Sequence, residues 1–141
     1  MHVKHIASDL VLAADNIAED RFEAALLCFT LLEFRDELLL LNVLHRFLSV
    51  GGIVIVVLPD PWQEINRDSN TVSDELLRNR LSRKKRDKFT GLEYPFHISR
   101  NELFISHMNK LGFLLGSIDR YTATSALYIM TFHWQGMLPR G

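Results

Sequence analysis

The residues of this chain that could do chemistry are few and scattered. A single cysteine, Cys28, closes the apolar run Phe22 to Thr30. Without a second cysteine it can form neither an intramolecular disulfide nor a cysteine-rich zinc site. As a packed side chain it would be a small hydrophobe. His97 is of the residue type that serves as a general base near neutral pH, and equally of the type found hydrogen-bonded at a surface. His2 with His5, or His97 with His107, form no metal constellation with the cysteine, so no metal is expected. Trp62, in Pro59-Asp60-Pro61-Trp62, could stack on a planar group or act as an apolar lid.

Charge is distributed unevenly. Residues 1–75 carry 13 acids and 5 bases, a balance of −8, and residues 76–141 carry 4 acids and 11 bases, a balance of +7. Much of that excess is the run Arg78, Arg80, Arg83, Lys84, Lys85, Arg86 and Lys88, broken only by Asp87. Such a run could meet phosphates or be a solvated face of a loop or helix. No aromatic residue interleaves with it before Phe89, which counts against nucleic acid. The 141 residues suit one domain, and a content of 48% hydrophobic and 23% charged residues is that of a globular chain and argues against disorder. No apolar run reaches the roughly 20 residues of a membrane span. Met1-His2-Val3-Lys4-His5 leads into no apolar signal region, so a cytoplasmic protein is expected.

Several elements must position these groups. Residues 2–12 have the pattern of a strand, and 22–30 that of a strand buried on both faces. Residues 35–48 predict a helix, with leucines at 40, 41, 44 and 48 at helical spacing and Gly51-Gly52 as its stop. Ile53 to Leu58 is β-branched and apolar, ended by Pro59. Residues 63–98 read as an insertion over the sheet's C-terminal edge, with a helix near 72–82. Ser99-Arg100-Asn101-Glu102 matches a capping box. It opens a helix to Leu111 with Leu103, Phe104, Met108 and Leu111 inward. Residues 113–121 and 126–133 predict an antiparallel pair. A strand-helix-strand unit of this kind implies a parallel sheet.

Taken in order, these pieces resemble class I S-adenosylmethionine-dependent methyltransferases of the type 11 kind, over about residues 9 to 134. The likeness rests on Glu23 with Ala24 to Leu27, on Leu31-Leu32-Glu33, and on Arg46-Phe47-Leu48-Ser49-Val50-Gly51-Gly52 followed by Ile53 to Pro59. Asp87-Lys88-Phe89-Thr90-Gly91, Tyr94-Pro95-Phe96-His97 and Asn109-Lys110-Leu111-Gly112-Phe113 resemble further recurring elements. Pro59-Asp60-Pro61-Trp62 is also similar to an element of tRNA guanine-N7 methyltransferases.

The resemblance implies an α/β fold: a partial Rossmann-like sheet, mostly parallel with a C-terminal antiparallel hairpin, made of the family's strands 3, 4, 5, 6 and 7. The family orders its strands 3-2-1-4-5-7-6. It implies a single partial domain over residues 1–141, with 63–98 over the substrate side. The implied cofactor is S-adenosylmethionine. Asp9 would accept from the adenine amino group, Leu10 would offer its backbone N–H, and Cys28, Phe29 and Thr30 would lie near the transferable methyl. Cys28 stands where the family more often has Asn or Ser. Asp60, Trp62 and His97 would lie on the substrate side, with His97 the candidate catalytic residue. The family's glycine-rich turn has no counterpart, since no glycine precedes Gly51. The chain is therefore expected to begin at the third strand, to bind the cofactor weakly or not at all alone, and to be inactive in isolation. Its strand 22–30 would then be an open edge inviting self-association or a partner chain. A non-catalytic methyltransferase-like subunit and an RNA methyltransferase remain the alternative readings.

Overall fold

A computed structural model describes residues 22–46, 48–62, 76, 80–122 and 126–136. The expected strand at 2–12, and with it Asp9 and Leu10, lies outside the described residues. The elements are β1 (Phe22–Cys28), a 3-10 turn (Thr30–Glu33), α1 (Glu37–Leu44), β2 (Leu48–Pro59), β3 (Leu81–Arg86), β4 (Glu93–Ile98), α2 (Asn101–Lys110), β5 (Phe113–Tyr121) and β6 (Leu127–Trp134).

Four strands form one sheet in the order β1-β2-β6-β5. β1 runs parallel to β2, with Leu27 opposite Val56. β6 is antiparallel to both β2 and β5. This is the expected 4-5-7-6 order, with the hairpin's second strand inserted beside β2. Among the described residues the sheet is thus mixed, with one parallel and two antiparallel pairs. Alternation along the strands sends Leu27, Val54, Val56, Leu58, Met130, Phe132 and Trp134 into one core. The same core takes Leu40, Leu41, Val43 and Leu44 from α1 and Phe104 and Met108 from α2.

The helix expected over 35–48 is shorter. Asp36 caps it, its carboxylate accepting from the Leu38 N–H at 3.0 Å. It ends at Leu44 because Leu48 already belongs to β2. Gly51 and Gly52 therefore do not stop a helix; they shape an irregularity in a strand. The β1–β2 register jumps from Phe22 opposite Leu48 to Ala24 opposite Ile53. Gly51 has φ +84°, and a Cβ on Gly52 would lie 2.7 Å from the Ser49 carbonyl oxygen and 3.2 Å from that of Glu23. Only glycine permits both the backbone and the approach.

The capping box at Ser99 does not form. The N-cap is Arg100, which makes no side-chain cap bond, and the buried Ser99 hydroxyl instead accepts from Arg80 Nη1 at 3.0 Å. On α2, Phe104 and Met108 are fully inward while Ile105 and Leu111 pack alongside them; Leu103 is only half-buried.

The helix expected near 72–82 is largely outside the described residues, and its last part is corrected. Leu76 is helical, but Leu81 and Ser82 open β3, paired with Ile98 and His97. The cross-strand partner decides, because Leu81, Phe96 and Ile98 form a second small core with Leu76 that Leu32 of the 3-10 turn joins. Arg83 to Arg86 of the basic run thus lie on one strand of an antiparallel ribbon, not on a helix face.

Candidate functional site

In open α/β sheets, ligands lie beyond the carboxyl ends of parallel strands. Here β1 and β2 end side by side. The last ladder pair is Cys28 with Val57, and the Phe29 N–H still donates to the Val57 carbonyl at 3.0 Å. The chain then turns sharply at Phe29, which has φ 59° and ψ 5°. A bulky residue in the left-handed region carries steric strain of about 1–2 kcal/mol. Such strain concentrates at ligand-binding turns. Phe29 and Cys28 are both exposed, so core packing does not account for the cysteine. Thr30, half-buried, opens the 3-10 turn.

On the adjoining strand end, Asp60 is buried and both carboxylate oxygens are engaged. Oδ1 accepts from the Trp62 N–H at 3.0 Å, and Oδ2 meets Arg120 Nη2 at 3.1 Å. The Asp60 N–H donates to the Ala126 carbonyl at 3.0 Å. Asp60 therefore fixes the end of β2 against the β5–β6 hairpin, and presents Trp62 with about a third of its surface exposed. Arg120 had no sequence signal, because its partner is 60 positions away.

His97 is on β4, which packs against the 3-10 turn. Its Nδ1 is 2.8 Å from Ser82 Oγ across the ribbon. Among the described residues no hydrogen bond, ion pair or ring contact joins it to Asp60 or Trp62. Burial, then Arg80, then Arg35 push its pKa below the usual 6.5. The imidazole is consequently neutral at pH 7, as a proton acceptor must be. The folded pKa is depressed, so on acidification the unfolded chain takes up the proton first. His97 should therefore cost stability progressively as pH falls from about 6.5 towards its folded pKa. Urea midpoints between pH 7.5 and 5 would check this: His97→Gln should flatten that part of the profile, and an unchanged profile would disprove the assignment.

The residue that assembles this end of the molecule is Arg80. Its guanidinium donates to the carbonyls of Leu31, Phe34 (Nε 3.1 Å, Nη2 2.8 Å) and His97 (3.2 Å), and to Ser99 Oγ. It ties the turn after β1 to the end of β4. In sequence it looked like any other member of the basic run; only Leu81 directly after it hints that a strand begins there. Among the described residues no group of three or more His, Cys, Asp or Glu could hold a metal, and no helix is long and apolar enough to cross a membrane.

No protein-family model matches the chain, and no curated protein matches it in sequence. Solved structures do match. A methyltransferase dependent on S-adenosylmethionine from Methanosarcina mazei superposes with a TM-score of 0.63 at 16% identity, over 83% of this chain and 61% of that one. A protein from Listeria monocytogenes assigned to the same class gives 0.62 at 14% identity, over 82% and 62%. A glycopeptide N-methyltransferase bound to S-adenosylmethionine gives 0.57 at 10% identity, over 92% and 63%. The chain thus spans a little over three fifths of the length of these structures. Together with the strand order, they show that the described residues have the fold of the 4-5-7-6 half of an S-adenosylmethionine-dependent methyltransferase domain.

Proposed function

We propose that this chain contributes to a methyltransferase that moves the methyl group of S-adenosylmethionine to a nucleophilic acceptor. The observation that carries the reading is the pair of adjacent strand ends, Cys28-Phe29-Thr30 and Asp60-Pro61-Trp62, held at the cofactor's expected position in this fold. Cys28, Phe29 and Thr30 would meet the methionine end of the cofactor, with Asp9 and Leu10 on the adenine. Trp62 would bound the acceptor side. Asp60 would position Trp62, since its carboxylate is already satisfied. His97, neutral at pH 7, is the candidate proton acceptor. The chain's share of catalysis would be alignment of an in-line attack at the sulfonium methyl.

Affinity for the cofactor should be millimolar or weaker for this chain alone, about −4 kcal/mol at most. Calorimetry measures that, and backbone NMR locates it: millimolar S-adenosylmethionine should shift the amide signals of Cys28, Phe29 and Thr30 above all others. Micromolar binding would refute the expected weakness, and undisturbed signals at those three residues would refute the site.

The reading of a subunit that needs a partner has its own support. Among the described residues β1 is the outer strand of the sheet, and Leu26 on it is 65% exposed. An apolar strand edge of this kind invites pairing. The purified chain should run larger than a monomer in sizing at micromolar concentration, or become so with its partner. A stable monomer throughout would argue against both self-association and the edge as an interface.

A further inference from the structure

We propose that the outer face of the β3–β4 ribbon is a binding site for a small phosphate monoester. Register puts Ser82 and Lys84 of β3 opposite His97 and Pro95 of β4, so these four share one face. A cavity of about 260 Å³ opens there, lined by Ser82, Lys84, Pro95 and His97 together with Arg83 and with Arg35, two residues before α1. Two permanent cations, Arg35 and Lys84, and an imidazole thus border this space, and none of its described lining residues is a carboxylate; Arg83, opposite Phe96, sits on the other face of β3. A monoester brings −1.5 to −2 charges at pH 7 and three acceptor oxygens, which suits an arginine fork and a lysine.

A second cavity of about 460 Å³ adjoins the first through Lys84 and Pro95 and adds Tyr94 and Glu93. Pro95, on the same face as Lys84, offers an apolar surface for whatever the phosphate carries. Glu93, paired with Arg86 at 3.3 Å, interrupts the positive track. A polyanion running along the ribbon would meet that acid, whereas a ligand with one terminal phosphate need not. The second volume falls within the range of ordinary small-ligand sites, roughly 300–1,000 Å³, and the first lies just below it. The site's histidine has its pKa lowered by burial first and then by Arg80 and Arg35, and a bound anion would oppose the effect of the arginines. The site shares His97 with the methyl-transfer reading, but its test needs no cofactor and so fails or succeeds separately.

The test is an NMR titration of the full chain with phenyl phosphate and with inorganic phosphate, against sodium chloride at matched ionic strength. Phenyl phosphate should shift Lys84, Pro95 and His97 signals and raise the His97 pKa; inorganic phosphate should do so more weakly and spare Pro95. Arg35→Gln and Lys84→Gln, both at exposed positions, should leave the spectrum folded and weaken phenyl phosphate roughly tenfold each. Equal shifts with chloride, or unchanged affinity in both variants, would overturn the proposal. Tighter binding of a single-stranded oligouridylate, steeply salt-dependent and insensitive to Arg35→Gln, would replace it with a nucleic-acid surface.

Discussion

Arg80→Ala should destabilise the chain by about 3–4 kcal/mol, out of a total of roughly 5–15 for a domain. The guanidinium serves three backbone carbonyls and one hydroxyl. Each buried acceptor left without a donor costs about 1–3 kcal/mol. Water can reach part of this half-buried cluster, which keeps the total below the simple sum. Arg80→Lys keeps the charge and loses the planar fork, so it should recover about half. Urea unfolding at constant slope measures both. A loss under 1 kcal/mol for the alanine variant would mean that the turn after β1 and the β3–β4 ribbon hold together without it. The loss should also be local: signals of Leu31, Phe34 and His97 should move more than those of β5 and β6.

Phe132→Ala should cost about 3–5 kcal/mol, the range for emptying a buried aromatic position. Phe132 is fully buried in the middle of β6, between Val54 of β2 and Leu115 of β5. Its ring meets Phe104 of α2 edge-on, centroids 5.7 Å apart at 89°. That geometry adds roughly 0.5–1.5 kcal/mol beyond area burial. The substitution therefore strikes the contact between the sheet and α2 as well as the sheet itself. If the alanine variant does not fold, Phe132→Leu keeps the test readable with a smaller loss and a preserved two-state transition. A cost under 1 kcal/mol for either would show that the interior collapses around the lost ring. Leu26→Ala on the exposed edge should, by contrast, change monomer stability little.

The expected helix stop at Gly51-Gly52 and the capping box at Ser99 were both misplaced for the same reason. Each motif is a local signal with two possible uses. A glycine pair after a leucine-rich stretch can end a helix or let a strand approach its neighbour, and Glu23 on β1 decides in favour of the second. A serine before a helix can cap it or accept from elsewhere, and Arg80, 19 positions away, claims it. In the same way the run from Arg80 to Lys88 is solvated in part only. Arg80 is a bracket between turn and ribbon, while Lys85 lies over the Phe96 ring at 4.0 Å. The aromatics absent from the run in sequence are brought to it by β4.

The sequence by itself determined the elements whose pattern is self-consistent over many residues. The strands expected at 22–30 and 53–58, found as Phe22–Cys28 and Leu48–Pro59, the parallel pairing they imply, the helix from Asn101 and the C-terminal hairpin were all legible, because alternation and helical spacing are properties of contiguous chain, although among the described residues the first strand is not buried on both faces. So was the placing of Cys28, Phe29, Trp62 and Asp60 at strand ends. Only the tertiary structure decided which of these groups is exposed and which is spent. Asp60 is occupied by Arg120, Cys28 faces outward, and His97 is kept neutral by its surroundings and by arginines from two other segments. Hydrogen bonds and charges act through space over a few ångströms, and chain separation carries no record of them.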